Sequence, residues 1–252
     1  MTNIEKLTDY ETRAGLLDGR VILITGASAG IGAALARRSA ALGATVVMLG
    51  RSVERLETVY DEIEQAGGPR PGIFVIDFLT AGGPQYDQLF EAVNDAYDHL
   101  DGLVHCAGIL GDRSPIEQHD ISVWHQVMQV NLTAPFILTQ AMFPLLRRSG
   151  DASVIFTSSG VGREGRAFWG AYAVSKFATE GMSQVLASEV GDGSPIRCNA
   201  VNPGATRTAM RRAAFPGEDP EELNTPDQVL SPYLYLLGPD SRTVNGRSFD
   251  AQ

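Results

Sequence analysis

The chain has 252 residues, of which 30 are acidic and 20 basic, for a formal net charge of −10; 44% are hydrophobic and 20% charged. That mix describes a folded, water-soluble globule and excludes a disordered chain. The acidic balance excludes a general nucleic-acid binder, because neutralising phosphates needs a surplus of Lys and Arg on one face.

In chain order, residues 1–18 (MTNIEKLTDYETRAGLLD) carry scattered acids and no apolar run of the kind a secretory signal needs. They read as an N-terminal arm or short amphipathic helix. Strands are expected at Val21–Thr25, Thr45–Leu49, Ile73–Ile76, Leu103–His105, Ser153–Thr157, Arg197–Val201 and Arg247–Phe249. Helices are expected at Ile31–Leu42, Val53–Gln65, Tyr86–Tyr97, Val123–Arg147 and Ala171–Val190. Nearly continuous apolar strands alternating with helices specify an α/β protein: one doubly wound Rossmann-type fold, with a parallel sheet of about seven strands and helices on both faces. The alternation runs from residue 21 almost to the end and no Ser/Gly/Pro-rich linker divides it, so residues 19–252 are read as a single domain. Residues 205–226, with three prolines and mixed charge, interrupt the rhythm after a strand end, where a substrate lid would sit. No window reaches the ~20 apolar residues of a membrane span. Cys106 and Cys198 form no CxxC, which suits reduced thiols in a cytoplasm.

The first long strand runs into Thr25-Gly26-Ala27-Ser28-Ala29-Gly30-Ile31-Gly32 before a helix opens. Glycines there let the backbone approach a diphosphate, and the helix start offers free N–H groups and partial positive charge. At the end of the next strand, about 20 residues on, a carboxylate would bind the 2′-hydroxyl of NAD. The residues are Leu49-Gly50-Arg51-Ser52. Arg51 can fork to a 2′-phosphate, so NADP(H) is favoured over NAD(H).

Tyr172 and Lys176 stand at i, i+4 on one helix face. A neighbouring ammonium favours the phenolate, and the expectation is a tyrosine pKa lowered towards the working range of a general acid/base. Ser159, thirteen residues before Tyr172, ends a strand where its hydroxyl can polarise a carbonyl held near the tyrosine.

Taken together, Thr25–Gly32, Asp77, His105-Cys-Ala-Gly108, Asn131, Ser159, Tyr172-x3-Lys176, Asn202-Pro-Gly204 and Thr208 resemble the short-chain dehydrogenase/reductases, from residue 20 to about 250. Longer stretches look closest to the YciK-like oxidoreductases. The resemblance implies an NADP(H)-dependent oxidoreductase that interconverts a carbonyl and a secondary alcohol by hydride transfer. It implies catalytic roles for Asn131 (holding a relay water), Ser159, Tyr172 and Lys176. It implies a cofactor site built from Gly26, Ser28, Ala29, Gly30, Ile31, Gly32, Arg51, Asp77, Phe78, Ala107, Gly108, Tyr172, Lys176, Pro203, Gly204, Thr206 and Thr208. It also implies a cytoplasmic homodimer or homotetramer joined through the helices at Val123–Arg147 and Ala171–Val190, acting on a small molecule, with no metal, nucleic acid or membrane involved. The alternatives are an NAD-dependent alcohol dehydrogenase of the same fold and a non-catalytic dinucleotide-binding regulatory protein.

The family commonly has Asn-Asn-Ala-Gly where this chain has His105-Cys106-Ala107-Gly108. Cys106 is a poor hydrogen-bond donor, so a backbone group there is expected to rely on water. It is expected to be inert as a thiol, and His105 to point into the sheet layer rather than act as a base. Substrate contacts are expected from Leu110–Arg113, Gly160–Trp169 and the 205–226 excursion. There Phe168 and Trp169 supply aromatic area, and Arg163, Arg166, Arg211 and Arg212 supply positive charge for an anionic substrate.

Overall fold

The computed structural model describes residues 4–252; the first three residues of the arm lie outside it. Eight strands form one sheet: β1 (Ile4–Lys6), β2 (Val21–Thr25), β3 (Thr45–Gly50), β4 (Gly72–Val75), β5 (Gly102–His105), β6 (Ala152–Thr157), β7 (Ile196–Asn202) and β8 (Ser248–Asp250). Their order is β1-β8-β7-β6-β5-β2-β3-β4, and every pairing is parallel. The helices are α1 (Gly30–Ala41), α2 (Val53–Gln65), α3 (Gly83–Tyr97), α4 (Ile121–Met128), α5 (Ala134–Ser149), α6 (Gly170–Val190), α7 (Ala209–Ala214) and α8 (Ser231–Leu237).

The eighth strand was not expected. Ile4–Lys6 pairs with Ser248–Asp250, so this part of the arm is sheet rather than helix. The expected helix at Val123–Arg147 is two helices, α4 and α5, joined by one π turn at Gln129–Thr133. It starts two residues earlier because Asp120 Oδ1 accepts the N–H groups of Ser122 and Val123. Within 205–226 lies the short helix α7, and after it α8, neither expected from the pattern.

All five residues of β2 are buried, as a strand covered on both faces requires. One apolar layer joins α1, α2 and α8 to the sheet through residues such as Ala36, Ile63 and Tyr233; the other face is covered by α3 and α5 through residues such as Leu89 and Leu138. Each such Leu or Ile contributes roughly 1.5–3 kcal/mol by leaving water. The strand order reverses between β2 and β5, and a cavity of about 440 Å³ opens at the carboxyl ends of these strands. Among the described residues, no helix is long and apolar enough to cross a membrane.

Candidate active site

All of the residues expected on the cofactor side, from Gly26 to Thr208, line this one cavity, together with Ser159. At its floor, Gly26 has φ +68°, and a Cβ there would come within 2.9 Å of the Ala107 backbone. A Cβ at Gly32 would meet the Gly26 carbonyl oxygen at 2.5 Å. The loop therefore packs so tightly against itself and β5 that side chains are excluded, leaving a backbone cradle at the N-terminus of α1. Thr208 closes over it from the far side, 3.4 Å from the position of a Gly30 Cβ.

Arg51 and Arg55 line the cavity beside the end of β3. Arg51 precedes α2 and Arg55 lies one turn into it, and both are exposed. The sequence reading missed Arg55, although its i, i+4 spacing from Arg51 was the available signal. Gly50 at the end of β3 leaves room for Ser28, whose Oγ would lie 3.3 Å from a Cβ there. Asp77 Oδ1 accepts the Leu79 N–H at 3.0 Å, so one oxygen holds its own turn. These residues fit a phosphorylated dinucleotide: small backbone at the diphosphate, guanidinium groups at the ribose.

At the other end, Tyr172, Ser159 and Lys176 converge on the cavity. The Lys176 ammonium donates to the Thr157 carbonyl oxygen at 2.7 Å, and Nζ lies 5.6 Å from the Tyr172 ring centroid. Burial lowers Lys176 to about 8, opposed by Cys106 and Glu180. Burial raises the Tyr172 phenol to about 12, with hydrogen bonding to Ser159 pulling the other way. The expected fall of the tyrosine pKa is thus reversed, because desolvation outweighs the help of an ammonium that is turned to a carbonyl.

Asn131 sits on the π turn, buried at 3% exposure, and does not line the cavity. Its Oδ1 accepts the Ile109 N–H at 2.8 Å, while Nδ2 donates to the Ile109 carbonyl oxygen at 2.9 Å and to Ser175 Oγ at 3.0 Å. The carboxamide clamps the loop after β5 to α6.

The His105-Cys106 departure is accommodated internally. The N–H groups of Cys106 and Ala107 both donate to Thr25 Oγ1 at 3.0 Å, so no water is needed there. Thr157 Oγ1 donates to Cys106 Sγ at 3.4 Å, and burial pushes the thiol up to about 11. Thr139 gives its one proton to the Pro135 carbonyl at 2.8 Å, so the 2.9 Å contact with His105 requires Nε2–H of the imidazole as donor. His105 stacks on Phe156, keeps Nδ1 unpartnered, and is lowered by burial to about 3. It is a neutral core residue.

The model of the short chain dehydrogenase family matches residues 20–219. The chain belongs to the short-chain dehydrogenase family. It is 51% identical over 243 residues to the uncharacterised oxidoreductase YciK of Escherichia coli, covering 96% of each protein. A solved short-chain dehydrogenase from Pseudomonas syringae superposes with TM-score 0.96 at 51% identity, covering 98% of this chain and 100% of that one. Another from Shigella flexneri, crystallised with NADP, superposes with TM-score 0.93 at 50% identity, covering 95% of this chain and 100% of that one.

The substrate end of this short-chain dehydrogenase differs from expectation. Arg163 is not free to meet an anion: Nε pairs with Glu180 at 3.1 Å, Nη1 with Asp250 at 2.6 Å, and Nη2 donates to Ser248 Oγ at 2.5 Å. Arg211 forms a fork with Glu218 and stacks on Phe215 at 3.9 Å. Arg166 and Arg212 are exposed and do not line the cavity. Phe168 also points away from it, at 55% exposure. The wall around the tyrosine is largely apolar, made of Trp169, Leu110, Met210 and Ala214, and of the four expected arginines only Arg211 lines the cavity. Arg113 ties this wall to the lid segment. Its guanidinium lies 4.7 Å over Trp169 and 4.9 Å over Phe215 and donates to the Ala214 carbonyl.

Proposed function

We propose that the protein is an NADP(H)-dependent oxidoreductase that interconverts a carbonyl and a secondary alcohol on a small molecule. The observation that carries this reading is that Ser159, Tyr172 and Lys176 line the same cavity as the glycine cradle and the Arg51–Arg55 pair. The absence of a carboxylate in Leu49–Ser52 at the end of β3 and the NADP complex of the Shigella relative support NADP(H) over NAD(H).

When bound, the nicotinamide cofactor supplies or accepts the hydride. Gly26–Gly32 would receive its diphosphate, Arg51 and Arg55 its 2′-phosphate, and Pro203–Thr208 would flank its nicotinamide. With its phenol raised to about 12, Tyr172 holds a proton at neutral pH and donates it to the substrate oxygen during reduction. Ser159 donates a hydrogen bond to that same oxygen and fixes its direction. Lys176, anchored on Thr157, holds the cofactor ribose hydroxyls and carries positive charge towards the developing alkoxide. Asn131 keeps the loop after β5 and α6 at a fixed distance and passes protons from Lys176 outward through a held water.

Residues 205–226 act as the lid, fastened by Arg113. The protein works in the cytoplasm as a homodimer or homotetramer through α5 and α6, whose Phe136, Val174, Phe177 and Val185 stand exposed.

The test is a fluorescence titration with NADPH and NADH side by side, followed by a screen of ketones and aldehydes. Tighter binding of NADPH and its oxidation by a carbonyl compound are expected. Preference for NADH overturns the assignment of Arg51, and binding of neither overturns the enzymatic reading.

A further inference from the structure

We infer that Gln252 is a positioning residue for the cofactor: its carboxamide fixes the segment Pro203–Thr206 from outside the cavity. The inference rests on the reading of that cavity as an NADP(H) site.

Pro203, Gly204 and Thr206 line the cavity, whereas Gln252 does not. Gln252 Nε2 donates to the carbonyl oxygens of Pro203 at 2.6 Å and Ala205 at 3.0 Å, which flank Gly204 on either side. Gly204 has φ +72°, and a Cβ built on it would lie 2.8 Å from Gln252 Cδ and Nε2. The carboxamide thus occupies the space that a side chain at 204 would need. Glycine is the residue least able to hold its own conformation, so the segment depends on its hydrogen bonds. The Gly204 N–H donates to Asn202 Oδ1 at 3.1 Å, and Thr206 Oγ1 donates to the Pro203 and Gly204 carbonyls at 3.3 and 3.4 Å; the 2.6 Å bond from Gln252 is the shortest of the set, and its loss loosens the peptide planes around Gly204.

The anchor is itself held. The Ala251 N–H donates to the Asn202 carbonyl at 3.0 Å, and Asn202 Nδ2 donates to Asp250 Oδ1 at 2.8 Å. Asp250 pairs with Arg163, and Arg163 pairs with Glu180, one turn beyond Lys176 on α6. Glu180 is 6% exposed and also accepts from Ser248 Oγ. Through Arg163, Glu180, Asp250 and Gln252, none of which lines the cavity, three segments are tied together. The helix of Tyr172 and Lys176 and the Pro203–Thr206 segment line the cavity, and the third, the turn at Gly160–Arg163, adjoins it through Ser159.

Ala205 is half-buried, so water can replace Gln252 at its carbonyl, and Thr206 Oγ1 still donates to the carbonyl of the buried Pro203, so the loss of folding stability is small. What is lost is preorganisation: the cofactor must then order the segment as it binds.

The experiment is calorimetric titration of wild type, Gln252→Ala and Gln252→Glu with NADP+, at about pH 7.5 and about pH 5, with the Tm of each. Each variant is compared with wild type at the same pH. The expected result is about tenfold weaker binding for Gln252→Ala at both pH values, with Tm nearly unchanged. Gln252→Glu sets a carboxylate against two carbonyl oxygens and binds more weakly still at the higher pH. Near pH 5 a protonated carboxyl, with its ordinary pKa near ~4.3 raised by those carbonyls, regains one donor and recovers part of the loss. Affinities within about twofold of wild type in both variants overturn the inference. So does a loss that tracks a fall in Tm and shows no recovery near pH 5. Failure of the wild type to bind NADP+ overturns the cofactor reading itself, and the inference with it.

Discussion

Lys176 donates to the carbonyl oxygen of Thr157 at 2.7 Å, so its ammonium is anchored on the end of β6 rather than on the Tyr172 hydroxyl. A charged group at 6% exposure carries a desolvation cost, and its pKa falls from 10.5 to about 8. The unfolded chain therefore holds this proton between pH 8 and 10.5 while the folded protein has lost it, and the contribution of Lys176 to stability rises with pH through that window. The difference in unfolding free energy between wild type and Lys176→Met, followed by urea denaturation, is expected to climb over that range; a flat difference would sink this account.

Tyr172→Phe keeps the ring against Trp169, which lies 5.8 Å away, and removes only the hydroxyl. Turnover is expected to drop by at least ~100-fold, the usual worth of a placed general acid. The Kd for NADP+ stays within about twofold. Carbonyl reduction at the wild-type rate would reassign the acid.

Arg51→Asp removes a guanidinium and adds a repelling charge at the ribose end of the cavity. Charge-assisted hydrogen bonds contribute about 1.5–3 kcal/mol, so NADPH binding should weaken by roughly 10–100-fold while NADH changes little. Arg55→Ala should act in the same direction. If both variants bind NADPH as wild type does, the 2′-phosphate is held elsewhere.

His105 makes an acid-side prediction. Its pKa is lowered from 6.5 to about 3, so the unfolded chain binds this proton first as pH falls, and stability is lost between those values. By about pH 5 the deficit is roughly 2 kcal/mol. His105→Asn cannot take up that proton, and its denaturation midpoint should fall less steeply from pH 7 to about pH 5 than that of wild type. Parallel slopes would exclude His105 as the source.

Asp151 faces three guanidinium groups, those of Arg20, Arg197 and Arg242. Burial raises its carboxyl, but the arginines prevail and the pKa is lowered. Asp151→Asn leaves Arg197, at 3% exposure, without its carboxylate and is expected to destabilise by about 3–5 kcal/mol in urea titration. A change under ~1 kcal/mol would mean that the carbonyl partners of Arg197 suffice on their own.

Most of the sheet was legible because β2, β3, β5 and β6 are largely apolar runs bounded by turn residues, a pattern that has few other solutions. β1 was not, because Ile4-Glu5-Lys6 is exposed at every position and joins the sheet only through its partner β8. The glycine cradle and the Tyr172–Lys176 spacing were local and could be read directly. The electrostatics were not local. The direction of the Tyr172 shift depends on burial by segments far away in sequence, and the engagement of Arg163 depends on Glu180 and Asp250. An arginine's charge is visible in a sequence; its counter-charge is visible only once the chain is folded.

The pairing of β1 with β8 joins residues at opposite ends of the chain, Ile4 with Ser248. During synthesis, at roughly 5–20 residues per second, β1 would wait on the order of 12–50 s for its partner to emerge. An apolar strand left open for that time would recruit other chains. Glu5 and Lys6 leave β1 charged and weakly adhesive on its own, the kind of edge that resists misassociation until the proper neighbour arrives. The hydrogen bonds that join β1 to β8 thus form only after every strand between them has been made.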